Sequence, residues 1–250
     1  ALVAVRAPEF GKHGLRMPRV ARALRGWRRL TRRPKRKLPS FGAVCALAMR
    51  LLQRHSWQMG LHVLVSFGNY YRPRENLSLL KQDLLPPVSG VTRFWSFLTY
   101  PNEFEETSKS GDVDVSILWD VKSLQWATPL FQTLKRGNPG DKLWPFTYRD
   151  LLTEVVAASA ELDMDWMRPY TLRHAGVSWD VLNRHRSLAE AQRRGQWRCA
   201  LTMDRYEQHA RVAKDTLAVS VAMREHFKRC EGSVASVFLG RTPAFDPPRL

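Results

Sequence analysis

From Ser40 onward the hydrophobic positions repeat at helical spacing. "FGAVCALAMRLLQRHSWQ" brings Val44, Leu47, Ala48, Leu51 and Leu52 to one face, with Ser40 placed as its N-cap. A second apolar segment, "MGLHVLVSFGNYY", runs to Arg72-Pro73. Proline suits a first helical turn, so "PRENLSLLKQDL" predicts a new short helix from Pro73. The period then changes. "DLLPPV" is short and broken by proline, which confines it to a sheet edge or a strand end. "VTRFWSFLTY" is aromatic and β-branched, and "DVDVSILW" alternates before turning apolar. The two predict an antiparallel pair with a hairpin tip near Ser108–Gly111.

Helical periodicity returns in "VKSLQWATPLFQTLKR", "TYRDLLTEVVAASAELD" and "YTLRHAGVSWDVLNRH". Thr147 with Asp150 is a cap-like pair, Ser187 with Glu190 is a capping box, and Gly195 is a helix stop. "CALTMDRYEQHARVAKDTLAVSVAMREHF" reads as one long helix or two shorter ones. The expected fold is mainly α with a small antiparallel β-sheet, an α+β domain over residues 40–230. Residues 1–39 precede it as a basic segment, and residues 231–250, with glycines and prolines and no period, read as an irregular tail. The boundary falls near Lys37–Ser40, at the Pro34 and Pro39 punctuation.

Charge narrows the picture. Forty Lys and Arg stand against 23 Asp and Glu, a net charge of +17 over 250 residues. Self-repulsion on that scale opposes compaction, and a polyanionic partner relieves it, so nucleic acid is favoured over an ordinary basic surface. Arg22–Lys37 alone holds nine basic residues. Arg28, Arg29, Arg32, Arg33, Lys35, Arg36 and Lys37 are candidate phosphate contacts or part of a nuclear import signal, with a solvated linker as the plain alternative. Arg193, Arg194 and Arg198 form a second basic group. Three distant cysteines support neither a disulfide framework nor a zinc site and suggest a reducing compartment. The histidines form no metal frame, and "GKHG" lacks the spacing of a phosphate loop, so no metal or cofactor is expected. No apolar run reaches a membrane span, so no membrane partner is expected. A chain beginning at Ala1 leads to the expectation of a fragment.

Five features recur in a suggestive order: Arg72 and Glu75 in "YRPRENLSLL", Lys109 in "TSKSGD", Arg173 and His174 in "YTLRH", Trp197 in "RGQW", and Tyr206 nine residues later in "MDRY". Taken singly, each has an ordinary structural role available, as a helix-end charge, a turn lysine or a core aromatic. Their order resembles the catalytic domain of the tyrosine recombinase, or phage integrase, family over residues 40–210. "RGQW" with "RYEQHA" is similar to the recombinases of eukaryotic mobile elements of the DIRS and Crypton type. The sequence departs from the family pattern at Tyr170, where the second arginine box has histidine, and at Arg74, where a small residue is usual.

The resemblance implies DNA cleavage and rejoining through a 3′-phosphotyrosyl link, without metal or ATP. Tyr206 is then the nucleophile, Arg72 and Arg173 bind the phosphate, and Lys109 protonates the departing 5′-oxygen. Trp197 and Tyr170 donate to the phosphate, with Glu75 and His174 in support. These residue types suit that chemistry: a phenol of pKa about 10 needs activation, and planar, permanently charged guanidiniums match the oxygens that gain charge. The resemblance further implies double-stranded DNA as partner and assembly into a tetramer, with residues 207–250, and "TLAVSVAMREHF" in particular, available for exchange between subunits. It implies a nuclear location in a eukaryote and a cytoplasmic one otherwise, and casts residues 1–39 as a basic linker or the remnant of an N-terminal DNA-clamping domain. A catalytically inactive, recombinase-derived DNA-binding protein is the alternative, and a relaxing type IB topoisomerase a more distant one.

Overall fold

A computed structural model describes residues 18–30, 37–54, 57–100, 114–200, 203, 206 and 209–248. The chain divides into two units, Ala1–Arg36 and Lys37–Leu250. In the first, helix α1 spans Pro18–Leu30. Its sequence carries arginines on one side, and Val20, Leu24 and Trp27, at helical spacing on the other, are exposed.

The second unit is mainly helical with one three-stranded antiparallel sheet. Helix α2, Phe41–Arg54, starts where Ser40 Oγ accepts from Ala43 N at 3.2 Å. Helix α3, Trp57–Gly68, is buried at every position from Met59 to Gly68, which makes it the central helix of the unit. Helix α4, Pro73–Ser78, begins with proline at its first position. The sheet follows with β1 Leu84–Leu85, β2 Ser96–Thr99 and β3 Val115–Leu118, in that order. Leu84, Phe97 and Ile117 stand in register on the face turned to the core, where Phe97 meets the rings of Tyr71, Trp119 and Phe131. β2 is shorter than "VTRFWSFLTY" suggests. Thr92 Oγ1 accepts from Phe94 N at 3.2 Å and bends the chain before Ser96. The expected hairpin tip, with Lys109, lies outside the described residues.

After a 3₁₀ segment, Lys122–Ala127, come helices α5 (Thr128–Leu134), α6 (Tyr148–Ala160), α7 (Pro169–Leu182), α8 (Leu188–Arg194), α9 (His209–Leu217) and α10 (Val221–Phe238). Both expected capping boxes are present, Thr147 with Asp150 at α6 and Ser187 with Glu190 at α8. α7 crosses α3 closely at Gly176, where a Cβ would lie 2.0 Å from the Phe67 carbonyl oxygen.

Of the two forms the sequence leaves open for the long basic-apolar stretch, the described residues take the second: two helices, divided at Ser220, whose Oγ caps α10 by accepting from Met223 N at 3.3 Å. α10 runs through to Phe238, past residue 231 where an irregular tail was expected. Its Met223, Phe227, Cys230, Val234, Val237 and Phe238 belong to the main core with the residues of α2. The apolar side of "TLAVSVAMREHF" is therefore divided: Leu217 and Val221 are exposed, whereas Met223 and Phe227 are committed to the interior of their own chain.

One buried titratable group sets an acid limit on this core. His62 on α3 is fully buried, edge-on to Trp144 at 5.1 Å and Phe146 at 5.5 Å, and neither ring nitrogen has a hydrogen-bond partner among the described residues. Burial pushes its pKa down to about 3. The unfolded chain, at the ordinary 6.5, binds the proton first. Stability present above that value is therefore lost as pH falls from 6.5 toward 3, at about 1.4 kcal/mol per pH unit. Urea unfolding from pH 7 to pH 5 is expected to show a steeper acid loss for the parent than for His62→Leu, by about 2 kcal/mol over that span.

Candidate active site

The candidate residues come from four separated segments. Asn69–Arg72 form the turn from α3 into α4, and Tyr70 adopts φ 56° there. Glu75, in the first turn of α4, reaches back so that its carboxylate accepts from Arg72 N at 2.8 Å and also pairs with the Arg72 guanidinium. The same carboxylate lies 3.6 Å from Arg173 Nη1 on α7. Glu75 thus bridges the two arginines and offsets one of their two charges, leaving the cluster net positive. For Arg72, burial pulls the pKa downward, but Glu75 outweighs it and the net shift is upward. Arg173 is shifted the other way, by burial first and the neighbouring Arg72 second.

Arg173 is 3% exposed and held from both sides. It donates to the Tyr70 carbonyl and, at 2.5 Å, to the Gly195 carbonyl. Trp197 lies over its guanidinium, with 4.3 Å from Cζ to the ring centroid. Gly195 does end α8, but with φ −90°, so the left-handed conformation expected of a glycine stop is absent. The next residue, Gln196, takes φ 55° instead. What requires glycine at 195 is space, because a Cβ there would sit 1.6 Å from the Trp197 ring.

Tyr206 is close by. Its ring lies 5.6 Å from that of Trp197 and, near-parallel, 5.8 Å from that of His174. Its hydroxyl is 2.7 Å from His174 Nδ1. The Tyr206 side chain is 2% exposed and packs with Tyr70, Val177, Val181, Ala191 and Met203 in a small second core. Tyr170, one helical turn before His174, presents its ring edge-on to the imidazole at 5.1 Å and is 38% exposed. The structure therefore brings Arg72, Glu75, Tyr170, Arg173, His174, Trp197 and Tyr206 together. Lys109 lies outside the described residues.

Behind Arg173 is an ionic network that sequence reading missed. The Asp180 carboxylate accepts from the Tyr70 hydroxyl and, at 2.9 Å, from Arg186 Nε. Arg186 makes a two-pronged pair with Asp120, at 2.5 and 3.1 Å. Asp120 also lies 3.1 Å from Arg194 Nη1. These residues fall on the α3–α4 turn, the segment after β3, α7, the α7–α8 loop and α8, so most of the pairing has no local sequence signal.

Arg194 is a correction. Grouped in the sequence with Arg193 and Arg198 as a DNA-contacting charge, it instead points inward, with its side chain 8% exposed. Its guanidinium donates to the carbonyls of Gly68 and Leu118 and to Asn69 Oδ1, at 2.9 to 3.1 Å. Those bonds, with Asp120 at Nη1, engage all three of its side-chain nitrogens and close the α3 terminus rather than offering them to solvent. Arg193, Arg198 and Lys37 are exposed. Arg28 and Arg29 fall on α1 with side chains outside the described set, and Arg32, Arg33, Lys35 and Arg36 lie outside the described residues. Among the described residues no three His, Cys, Asp or Glu side chains form a metal-holding group, and no helix is long and apolar enough to cross a membrane. No protein-family model, curated protein or solved structure matches the chain.

Proposed function

We propose that the Lys37–Leu250 unit is a DNA strand transferase of the tyrosine recombinase type, acting on double-stranded DNA through a 3′-phosphotyrosyl intermediate and assembling on DNA as a tetramer. The observation that carries the reading is the convergence of two arginines on one carboxylate, with Trp197 over one guanidinium and the Tyr206 phenol against Trp197. A scissile phosphate placed at this cluster meets net positive charge from rigid forks. Arg72, with its side chain 25% exposed, is the more accessible of the two. Arg173 completes the grip from below, and the Trp197 indole N–H and the Tyr170 hydroxyl are further donors. Attack by Tyr206 stores the phosphodiester energy in a covalent bond, and a 5′-hydroxyl later reverses the step. The basic surface, including Arg193 and Arg198, holds the backbone without reading sequence.

The near-complete burial of Tyr206 favours a second reading, a recombinase-derived protein that binds DNA without cutting. Cleavage requires the phosphate to reach a hydroxyl that the structure keeps covered. Trapping separates the readings. Protein is incubated with nicked duplexes of randomised sequence, and denaturing gels are searched for a covalent adduct, which is digested and mapped by mass spectrometry. The expected outcome is DNA linked to the peptide containing Tyr206. Salt-sensitive DNA binding with no adduct supports the non-cutting protein, and linkage to a different residue overturns the site.

A further inference from the structure

The strand-transfer reading requires an acceptor for the Tyr206 proton. Tyr170, in that reading, offers its hydroxyl to the phosphate as a donor. We propose that His174 is the general base that removes this proton and later returns it. The inference rests on the strand-transfer reading and deepens it.

Geometry carries it. A base must lie about 2.6–3.2 Å from the atom it deprotonates, and His174 Nδ1 is 2.7 Å from the Tyr206 hydroxyl oxygen. Accepting at Nδ1 requires the imidazole to carry its proton on Nε2. The near-parallel stacking of the two rings, at 22°, and the edge-on ring of Tyr170 fix the imidazole in that position. His174 also follows Arg173 directly on α7, so the base is built into the element that carries a phosphate-binding arginine. Among the described residues, Tyr170 and Tyr206 face its ring, and the adjacent Arg173 is acted on by Arg72, Glu75, Tyr170 and Tyr206.

The step balances. The Tyr206 O–H bond breaks and the proton passes to His174 Nδ1. The phenolate oxygen forms a bond to phosphorus, and the bond from phosphorus to the 5′-oxygen breaks. That oxygen takes a proton from a separate acid, the part assigned to Lys109, or from water. The imidazolium is formed beside the incoming phosphate, whose negative charge compensates it. In rejoining, a 5′-hydroxyl attacks phosphorus and gives its proton to the conjugate base of that separate acid or to water, while the phosphorus–Tyr206 bond breaks and the departing phenolate recovers the proton from His174.

The test compares His174→Gln with the parent in single-turnover adduct formation, on ordinary nicked DNA and on DNA with sulfur at the bridging 5′ position. A thiolate leaves without an acid, so that substrate isolates the base. Rates are normalised to the fraction of protein that binds DNA, and His174→Asn is run beside the first variant in case one of them folds poorly. The expected result is a loss of about 10²- to 10⁴-fold on both substrates. The parent's rise in rate with pH across the histidine range should also be absent from the variants. An unchanged rate overturns the proposal. So does a loss that the sulfur substrate restores, which moves His174 to the leaving group, or an unchanged pH profile. If the parent forms no adduct on either substrate while binding DNA, the strand-transfer reading itself fails and this inference falls with it. A parent adduct at Tyr206 together with a fully active His174→Gln removes only the inference.

Discussion

Asp180→Ala is expected to lower the unfolding free energy by about 3–5 kcal/mol, because it strips a buried carboxylate from partners that stay behind. Asp180 is 4% exposed, and its Oδ2 serves both the Tyr70 hydroxyl and Arg186 Nε. After the substitution Arg186 keeps Asp120, but the Tyr70 hydroxyl, in a fully enclosed ring, has no replacement acceptor. Tyr70 already has a pKa raised by burial and then by the Asp180 charge, so it cannot escape the deficit by ionising. Tyr70→Phe in the Asp180→Ala background should recover part of the loss, since it removes the orphaned donor. Urea unfolding of the two single variants and the double variant gives the coupling directly. A single-variant loss under about 1 kcal/mol would show the network to be solvated and mechanically idle.

Arg173→Lys is expected to reduce adduct formation by about 10²- to 10³-fold while leaving DNA affinity nearly unchanged. Lysine keeps the charge and loses the plane. It cannot donate simultaneously to the Tyr70 and Gly195 carbonyls in the present geometry, nor lie flat beneath Trp197. Non-specific affinity depends on the exposed basic surface, which the change does not touch. Single-turnover trapping with a salt titration of binding checks both halves. Equal adduct rates for the two proteins would remove Arg173 from the chemistry. The melting temperature is also expected to fall, because lysine leaves at least one of the Tyr70 and Gly195 carbonyls without its charged donor.

The helices were the most legible part of the chain. Ser40, Thr147 and Ser187 mark starts through side-chain oxygens that accept from nearby backbone N–H groups, and that chemistry is local. Whatever depends on distant partners was not legible. Arg194 looks like its exposed neighbour Arg193 and is turned inward by carbonyls from α3 and β3. The eight residues of α10 after Cys230 lack a clean period, yet they fold as helix because α2 offers an apolar face. Within the site, the order of Arg72, Arg173, Trp197 and Tyr206 could be read from spacing and resemblance. The acceptors that position Arg173 could not, since Tyr70 and Gly195 act through backbone carbonyls, which every residue possesses. Gly195 ends its helix as the sequence suggests, and its missing side chain also makes room for an indole, which the sequence does not show.

The packing of α10 on α2 has a consequence for how the protein is made. α2 is among the first described segments of its unit to leave the ribosome, and a large part of its buried face is covered by α10, the last described helix. During synthesis α3, α6 and α7 can cover part of Phe41–Arg54, but the portion that packs on α10 stays open until Val221–Phe238 emerges. Such a sequence-distant pairing slows folding and lengthens exposure of sticky surface. A nascent chain arrested before residue 221 should therefore hold a holdase chaperone longer than one in which Val221–Phe238 has emerged.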